Sequence, residues 1–338
     1  ARALHQRDEE IVWLGTQRGI EAELIPAEDI PLEFTRVAGL RGKGALSWVL
    51  APFKLMVALF DAIGVVRRRR PKVVLGMGGF ASGPGGLAAW LLRKPLVIHE
   101  QNSVAGLTNR LLAGFAREVL EAFPGSFSAK VRTRLVGNPV RPDIAALPAP
   151  AERLSDRSGS LRILVLGGSL GAKALNETVP QAIALLDERV RPEILHQAGK
   201  ATIDVARAAY AECGVAAKIE PFIADVAAAY AWADIAICRA GALTISELAA
   251  AGLGAILIPY PSAVDDHQTT NARYLVDADA AVLMPQAELT PTKMAGEIQR
   301  YIDDRSLVLA RAQRARELAM PEATREVAEL CLALGEVA

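Results

Sequence analysis

Short apolar runs that alternate with longer amphipathic stretches constrain the fold of this chain more than any other feature of its sequence. Each apolar run is only a few residues long, as β-strands are, and the stretches between them have helical length. Such alternation predicts an α/β protein whose parallel sheets carry helices on both faces. The candidate strands are Ile11–Leu14, Val73–Leu75, Leu96–His99, Leu161–Leu166, Glu193–His196, Ile219–Phe222, Ile235–Cys238 and Ala255–Pro259, and the candidate helices include Ala172–Leu186, Ala201–Cys213 and Leu243–Ala251.

The length of the chain bears on the number of domains. With 338 residues, two domains are expected rather than one. Residues 145–160 interrupt the alternation, because they are rich in Pro, Ala and Ser and have no apolar period, so we interpret them as a surface loop near the domain boundary. We expect each half to be a doubly wound parallel sheet, with ligands at the carboxyl ends of the strands and in the cleft between the halves.

Charge and cysteine content argue against several classes of protein. Lys+Arg and Asp+Glu both number 38, so the chain lacks the basic excess of a general nucleic-acid binder. Its three cysteines form no CxxC pair, so neither a disulfide framework nor a zinc site is expected. No stretch has the pattern of a signal peptide, and the longest apolar stretch, Leu46–Val66, contains Pro52, Lys54 and Asp61, which disfavours a membrane span. We therefore expect a cytoplasmic protein.

The beginning of the chain carries a further expectation. Its first residues, ARALHQRDEE, have the character of the end of a helix, and a candidate strand follows them at once. An α/β domain normally begins with a strand that precedes its first helix. We therefore expect that an N-terminal strand, a loop and half of a helix are absent from this chain.

Two glycine-rich segments follow candidate strands. Gly167–Ala172 lies between a strand and a helix, where glycines let the backbone approach a ligand and free N–H groups attract phosphate. It does not match the GxGxxG pattern, and a tight turn without a ligand is an equal interpretation. Gly76–Gly86 has six glycines in eleven residues and leads into a helix predicted to begin near Pro84. Here we favour close approach to a ligand over a flexible loop.

Two polar segments also stand at the carboxyl ends of candidate strands. His99–Asn102 places four polar side chains where they could bind sugar hydroxyls or act as acids and bases, although one of the first two could instead face inward. In Cys238–Glu247 a strand, a small-residue turn and a helix follow one another, so Thr244 and the nearby N–H groups are candidates for phosphate and Glu247 for two ribose hydroxyls. Capping of the helix is an equal interpretation.

The remaining segments point to no metal or cofactor. Asp265–Gln268 is not a DxD metal motif, and no cluster in the sequence resembles a metal site. Segment 48–70 joins an apolar amphipathic stretch, with Phe53 and Phe60, to four consecutive arginines. This composition suits an anionic membrane surface, although a core helix followed by a solvated charge run is the explanation for most such segments.

Taken together, these segments resemble the MurG family of bacterial glycosyltransferases, in order and spacing, along nearly the whole chain. The segments that carry the resemblance are GLRGKG (39–44), GMGGFASGPGGLAAW (76–90), HEQN (99–102), AGLTN (105–109), VGNPVR (136–141), GGSLGA (167–172), CRAGALTISELAAAGL (238–253) and DDHQTTNA (265–272).

The resemblance implies both a fold and a reaction. The fold would be GT-B, with two Rossmann-like domains: an acceptor and membrane-side domain at 1–141 plus 320–338, and a donor domain at 142–319. The reaction would be the inverting transfer of GlcNAc from UDP-GlcNAc to the MurNAc 4-hydroxyl of lipid I, undecaprenyl-diphospho-MurNAc-pentapeptide, which forms lipid II. The protein would lie on the cytoplasmic face of the inner membrane, bound through 48–70 to its anionic surface, with other cell-wall enzymes as possible partners.

The resemblance also implies roles for particular residues. Ile223 would contact the uracil and Glu247 the ribose, while Arg141 would support the nucleotide site. Asn102 and Gln268 would contact the GlcNAc. The UDP diphosphate would be held by Ser169, Ala242, Leu243, Thr244, Ile245 and Ser246. The lipid diphosphate would face a loop with Gly78, Gly79, Ser82 and Gly83, next to His99 and Glu100.

The sequence departs from the family's pattern at its beginning. MurG sequences open with a strand and a GGTGGH-like loop whose histidine is a proposed base. That loop does not occur in this sequence, so no catalytic base is assigned. Three explanations stay open: the chain is a fragment, its start has been lost, or the protein as given is inactive. His267 stands where some members have Gln, which leaves its contact open. Two other hypotheses also stay open: another GT-B enzyme, such as a UDP-GlcNAc 2-epimerase, and a non-catalytic nucleotide-sugar-binding protein.

Overall fold

The structure, a computed structural model, describes residues 1–17, 19, 21–36, 51–155, 157–168, 172–261 and 266–337. Several sequence features named above lie outside these residues: the GLRGKG segment at 39–44, the start of segment 48–70, Ser169 and Asp265.

Parallel strands form the framework of the molecule, as the alternating pattern predicts. Every pair of neighbouring strands in the described residues is parallel. In chain order the strands are β1 Trp13–Gly15, β2 Leu32–Phe34, β3 Val74–Gly76, β4 Leu96–Glu100, β5 Glu118–Glu121, β6 Arg134–Leu135, β7 Arg162–Leu166, β8 Glu193–Gln197, β9 Lys218–Glu220, β10 Ile235–Cys238, β11 Gly254–Leu257 and β12 Ala281–Leu283.

Helices connect the strands and cover the sheets. In the described part of the chain, no helix is both long enough and apolar enough to cross a membrane. The α-helices are α1 Arg2–His5, α2 Glu21–Leu24, α3 Ala51–Arg69, α4 Gly79–Leu91, α5 Leu107–Leu112, α6 Pro142–Ala145, α7 Pro150–Leu154, α8 Lys173–Ala184, α9 Ile203–Glu212, α10 Val226–Trp232, α11 Ala242–Ala251, α12 His267–Val276, α13 Pro291–Asp303, α14 Ser306–Glu317 and α15 Ala323–Glu336.

The chain divides into two compact units. The first consists of Ala1–Asn138 together with Glu322–Ala338, and the second of Pro139–Pro321. The assignment of an acceptor role to one half and a donor role to the other stays a prediction.

The first unit contains a four-stranded sheet in the order β3-β4-β5-β6 and a separate pair, β1-β2. Every residue of β4 is buried, and its side chains alternate between the two faces. Leu96 and Ile98 belong to a cluster with Leu112 of α5, whereas Val97 belongs to a cluster with Val327 of α15. Because both faces are covered, Leu96, Val97 and Ile98 of β4 form a continuous apolar run. The contact with Val327 makes the end of the chain part of the first unit.

The second unit contains a six-stranded sheet in the order β9-β8-β7-β10-β11-β12. Numbered within the unit, this is the 3-2-1-4-5-6 order of a Rossmann fold. Its central strands β7 and β10 are buried almost throughout, with side chains such as Ile163 and Ile237 fully enclosed. The strand order reverses between these two strands, so the loops that follow them separate and leave a crevice at their carboxyl ends.

The reading of residues 145–160 as a surface loop is wrong in part. Helix α7 lies within them and buries Pro150 and Leu154. The guanidinium of Arg153 donates hydrogen bonds to the main-chain carbonyls of Tyr230 and Ala251, in helices α10 and α11. An arginine on a Pro- and Ala-rich segment carries no local sign of such contacts, because its partners lie far away along the chain.

The predicted start of the helix in the glycine-rich loop is also wrong. Helix α4 begins at Gly79, and Pro84 lies inside it. Gly78 is the N-cap with φ of 76°, and Gly79 follows with φ of 77°. Glycine adopts this region at little cost, so two consecutive glycines let the chain turn from β3 directly into the helix.

Candidate functional site

The crevice of the second unit lies between the loops that follow β7 and β10. These strands are neighbours, and Cys238 stands in register with Leu166, so both loops leave the same edge of the sheet. The loop after β7 begins with Gly167 and Gly168, the latter at φ of 77°. The loop after β10 leads into α11, whose N-cap is Gly241. A phosphate in this crevice would face both loops.

The first turn of α11 offers backbone N–H groups to this crevice. Gly241 has no side chain to cap them, and the first N–H groups of a helix have no partner within it. Ile245 already donates its N–H to the carbonyl of Gly241 at 2.9 Å. The N–H groups of Ala242, Leu243 and Thr244 are therefore the ones placed to bind an anion, with the helix dipole in support.

The side chains of this turn differ in where they lie. Ala242 and Ile245 are buried, and Leu243 is exposed. The hydroxyl of Ser246 donates to the carbonyl of Ala242 at 3.0 Å, so it bonds within its own helix. Whether these residues touch a diphosphate, as the sequence resemblance implies, stays a prediction.

Glu247 projects from α11 one turn after its start. The hydroxyl of Tyr230 donates to Oε2 of Glu247 at 3.0 Å, and Nε of Arg141 lies 3.9 Å from Oε1. Burial raises the pKa of Glu247, while the Tyr230 hydrogen bond and the positive charge of Arg141 act in the opposite direction. A carboxylate held in this way can accept hydrogen bonds from neutral hydroxyl groups, such as those of a ribose.

Ile223 lies in the turn after β9, and its side chain is buried. Its N–H donates to Oε1 of Gln197, at the end of β8, at 3.0 Å. Gln197 is buried as well, and its hydrogen bond holds the backbone of the turn in place. Gln197 is not among the predicted site residues, because its partner lies in a turn 26 residues away in the chain.

Arg239 ties the ends of three strands together in the second unit. Its guanidinium donates to the carbonyls of Ile258 and Pro259 after β11, and to Oε1 of Gln286 after β12, at 2.7 Å. Gln268 accepts the N–H of Tyr260 at 2.9 Å. The contact of Gln268 with a sugar stays a prediction, and so does any contact of His267, because the preceding residues 262–265 lie outside the described part of the chain.

In the first unit, the predicted acceptor residues lie around the start of α4 and the end of β4. Gly78 and Gly79 form the turn described above, and the hydroxyl of Ser82 donates to the carbonyl of Gly78. Gly83 is half-buried, and a Cβ there would lie 3.7 Å from Cγ2 of Thr108. The loop is therefore an ordered helix start whose backbone is open to approach.

His99 is fully buried and bonds to the main chain. Its Nε2 lies 2.9 Å from the carbonyl of Gly137, which can only accept, so Nε2 carries the proton and Nδ1 accepts from Gln101 at 3.1 Å. Burial lowers the pKa of His99, which keeps the ring neutral. These contacts favour the inward-facing reading for His99.

Glu100 is also buried, and its carboxylate organises the loop that follows β4. Oε1 accepts from both the N–H and the side-chain amide of Asn102, at 3.0 and 3.2 Å. Oε2 accepts from the N–H of Gly106 at 3.0 Å and from the amide of Asn109 at 2.9 Å. Glu100 thus holds Asn102 at the carboxyl end of β4, and a direct contact of either residue with substrate stays a prediction.

No group of three or more His, Cys, Asp or Glu side chains within the described residues is arranged to hold a metal ion. That the protein uses neither a metal nor a cofactor stays a prediction from the sequence.

Two parallel-sheet units in one chain, the second with an uncapped helix start at its switch point, have the features of a GT-B glycosyltransferase. Residues 1–121 match the glycosyltransferase family 28 N-terminal domain, and residues 162–327 match the C-terminal domain of that family. The chain belongs to this family and, within it, to the MurG enzymes.

Relatives and solved structures support this membership. A relative from Marinobacter nauticus is 56% identical over 332 residues, 98% of this chain and 92% of its own length, and is named UDP-N-acetylglucosamine--N-acetylmuramyl-(pentapeptide) pyrophosphoryl-undecaprenol N-acetylglucosamine transferase. A relative of the same name from Alkalilimnicola ehrlichii is 54% identical over 98% of this chain and 93% of its own length. The crystal structure of Acinetobacter baumannii MurG has a TM-score of 0.85 and 39% identity, covering 98% of this chain and 94% of its own.

More distant structures share the fold alone. The calicheamicin glycosyltransferase CalG4 has a TM-score of 0.66 at 15% identity, covering 99% of this chain and 93% of its own. A UDP-N-acetylglucosamine 2-epimerase from Listeria monocytogenes has a TM-score of 0.64 at 14% identity, covering 96% and 89%. The GT-B fold is therefore common to several activities, and the activity of this chain must be argued from closer relatives and from its site.

Proposed function

We propose that this chain transfers GlcNAc from UDP-GlcNAc to the MurNAc 4-hydroxyl of lipid I, with inversion at the anomeric carbon, and so forms lipid II. The structural observation that carries the proposal is the uncapped start of α11 at the switch point, with the Glu247 carboxylate one turn further on. This pairs an anion site with a ribose site, as a nucleoside diphosphate requires. The sugar and the acceptor come from the name of the relatives that are 50% identical or more over nearly the whole chain.

The donor half of the reaction needs a stabilised leaving group. When the glycosidic bond to UDP breaks, negative charge develops on the diphosphate. The N–H groups of Ala242, Leu243 and Thr244 and the dipole of α11 would stabilise that charge without reorganisation, since they are fixed by the helix. Inversion also requires the acceptor hydroxyl to attack opposite the leaving UDP, which depends on how both substrates are positioned.

The nucleoside would lie between the ends of β9 and β10. In this proposal Ile223 contacts the uracil, Glu247 accepts the ribose hydroxyls, and Arg141 offsets part of the charge. Gln268 and Asn102 would contact the GlcNAc. The contacts with Ile223 and Glu247 are supported by the hydrogen bonds that hold both residues in place.

The acceptor would approach the first unit at the turn between β3 and α4. Nothing lies within 4 Å of a Cβ added at Gly79, so the backbone there leaves room for a diphosphate. His99 and Glu100 would contribute by holding the neighbouring loop rather than by acid–base chemistry, since both are buried and fully engaged with main-chain and amide groups.

The acceptor is a lipid, and helix α3 offers a surface for its membrane. Phe53 and Phe60 are 63% and 66% exposed, and Met56 between them is also exposed, so one face of the helix presents large apolar side chains to solvent. The opposite face packs into the core through Ala62 and Val66. Helix α3 is therefore a core helix with a second apolar face, which supports peripheral binding to a bilayer.

The arginines at the end of α3 are partly neutralised. Arg68 and Arg69 both donate to Glu33, at 2.6 and 2.8 Å. Neighbouring Arg67 and Arg70 add positive charge at the same helix end. The positive charge that remains supports attraction to an anionic lipid surface. In this proposal the surface is the cytoplasmic face of the inner membrane, where other cell-wall enzymes would also contact the protein.

The first test is calorimetric titration of this chain with UDP-GlcNAc, with UDP-GalNAc and a Glu247→Ala variant as comparisons. We expect binding that prefers UDP-GlcNAc. In the variant it should be weaker by about tenfold or more, because hydrogen bonds to a charged group are lost.

Product analysis with labelled UDP-GlcNAc and lipid I then tests the reaction. A labelled disaccharide lipid supports the proposal. Release of a free sugar without any acceptor would favour an epimerase, and no binding of any UDP-sugar would contradict the donor site.

A further inference from the structure

The carboxylate of Glu247 has one close hydrogen bond among the described residues, the one from Tyr230 at 3.0 Å. The nearest cationic atom, Nε of Arg141, is 3.9 Å away, which is long for a hydrogen bond. A carboxylate that is largely removed from water needs such partners to stay ionised and to keep one orientation. The Tyr230 hydroxyl is therefore the group that fixes the plane of this carboxylate.

Tyr230 is itself held rigidly. Its side chain is fully buried, and its carbonyl accepts from Nη1 of Arg153 at 3.2 Å. The same guanidinium donates through Nη2 to the carbonyls of Ala251 and Gly252, at 2.9 and 2.6 Å. Arg153 thus joins the end of α10 to the end of α11, and the Tyr230–Glu247 bond joins the two helices again one turn from the crevice.

We propose that Tyr230 is a positioning residue for ribose recognition: its phenol orients the Glu247 carboxylate so that both oxygens can accept from the ribose 2′- and 3′-hydroxyls. The inference rests on the proposed binding of UDP-GlcNAc and adds the residue that makes its site selective for a ribose diol. Each carboxylate oxygen has two acceptor positions, and the phenol uses one on Oε2. The positions that remain on both oxygens then face a ligand in a fixed geometry, so less entropy is lost on binding.

The test compares the binding of UDP and 2′,3′-dideoxy-UDP by calorimetry in the wild-type chain and in Tyr230→Phe. The wild-type chain should prefer UDP. Tyr230→Phe removes one oxygen and keeps the buried ring, so it is expected to fold. It should weaken UDP binding by about tenfold, because Glu247 is no longer oriented before its oxygens accept from the ribose, and leave dideoxy-UDP binding unchanged. A purely structural role would change both affinities equally or neither.

A double-mutant cycle with Glu247→Gln isolates the coupling. If Tyr230 acts through Glu247, adding Tyr230→Phe to Glu247→Gln should cause no further loss of UDP affinity. Tyr210→Phe is the matched control, since Tyr210 is also buried and its hydroxyl bonds to His196 away from this crevice.

The outcomes separate this inference from the proposed function. If the wild-type chain prefers UDP and Tyr230→Phe keeps that preference in full, the positioning role is overturned while the donor site stands. A further loss of UDP affinity in the double variant would also overturn it. If the wild-type chain binds no UDP, the donor site and the positioning role both fall.

Discussion

Buried polar side chains organise the second unit at the scale of single residues. His196, Asn176 and Tyr210, on β8, α8 and α9, form one such group, and all three are buried. The amide of Asn176 donates to the carbonyls of Ala198 and Thr202, so its oxygen faces His196 and accepts from Nε2 at 3.0 Å. Nδ1 of His196 then accepts from Tyr210, which requires a neutral ring.

The neutral state of His196 predicts acid sensitivity. Burial lowers the pKa of His196 from 6.5 to about 3. Between these two pH values the unfolded chain binds a proton at this residue and the folded chain does not. Stability is therefore present above the unfolded pKa and is lost as pH falls from about 6.5 towards about 3. At pH 5 we expect a loss of about 2 kcal/mol in the free energy of unfolding, measured by urea titration.

Two variants isolate this contribution of His196. His196→Gln should make the dependence of stability on pH between 7 and 5 less steep, whatever its own effect on stability at pH 7. Buried His99, whose pKa is also lowered, keeps part of that dependence. His5→Gln, at an exposed position, should leave the dependence unchanged. An equal slope in His196→Gln and the wild-type chain would contradict the assignment.

Gln197 provides a second prediction at this scale. Gln197→Met removes the acceptor for the Ile223 N–H and leaves a buried donor unpaired, so the turn after β9 should loosen. We expect UDP affinity to fall by about tenfold in calorimetry. Gln299→Met, at a position whose amide bonds to Asp303 on the surface of α13, should have no effect. Equal UDP affinities in both variants would count against a role for this turn in base binding.

At the scale of elements, helix ends decide where the functional groups stand. The start of α11 faces the crevice, and its end at Gly252 is packed against other elements of the second unit. Gly252 has φ of 59°, and a Cβ there would lie 2.5 Å from Cγ of Pro150 and 3.1 Å from Cβ of Arg316. Glycine is required at this helix end both for its backbone conformation and for space.

Replacing Gly252 tests this account of the helix end. Gly252→Ala should lower the free energy of unfolding by about 3 kcal/mol, since it adds steric overlap to backbone strain. Gly214→Ala is the matched control, because Gly214 has φ of 61° but nothing lies within 4 Å of its added Cβ. There we expect a loss of about 1 kcal/mol from strain alone. Equal losses in urea unfolding would show that packing at Gly252 contributes nothing.

The exposed apolar face of α3 acts at the scale of the whole molecule, because its proposed role is to bind the protein to a membrane surface. We expect the chain to bind vesicles that contain anionic phosphatidylglycerol. The double variant Phe53→Ser and Phe60→Ser should reduce that binding by about tenfold in a flotation assay, since two exposed rings no longer enter the bilayer. UDP affinity should not change, because the proposed donor site consists mainly of residues of the second unit.

Leu185→Ser provides the comparison for the vesicle assay. Leu185 is a large exposed apolar side chain of the second unit, and we expect its replacement to leave vesicle binding unchanged. Vesicles of neutral phosphatidylcholine separate the apolar from the electrostatic part of the interaction. Full binding by the Phe53 and Phe60 double variant would remove α3 from the membrane proposal.

Sequence patterns predicted some strands with their bounds and missed others. Strand β10 has the predicted bounds, Ile235–Cys238, because four apolar residues between polar turns leave little choice of register. Strand β5, Glu118–Glu121, has the same length but was not predicted, because its two apolar residues lie between charged ones. Strands β2, β6 and β12 were not predicted either. Helix α7 was not predicted either. It is supported by contacts from Arg153 to the carbonyls of Tyr230 and Ala251, and a short stretch of sequence gives no sign of partners so far away.

By itself, the sequence determined the α/β class, the parallel strands and the glycine-rich turns that follow them, because each depends on residues that are neighbours in the chain. Only the tertiary structure decided which polar groups meet. The bonds of Tyr230 to Glu247 and of Gln197 to Ile223 join residues 17 and 26 positions apart, on separate elements. The structure also placed His99 and Glu100 inside the first unit, where they hold a loop. Burial and pairing of this kind depend on how strands and helices pack, which a local pattern does not record.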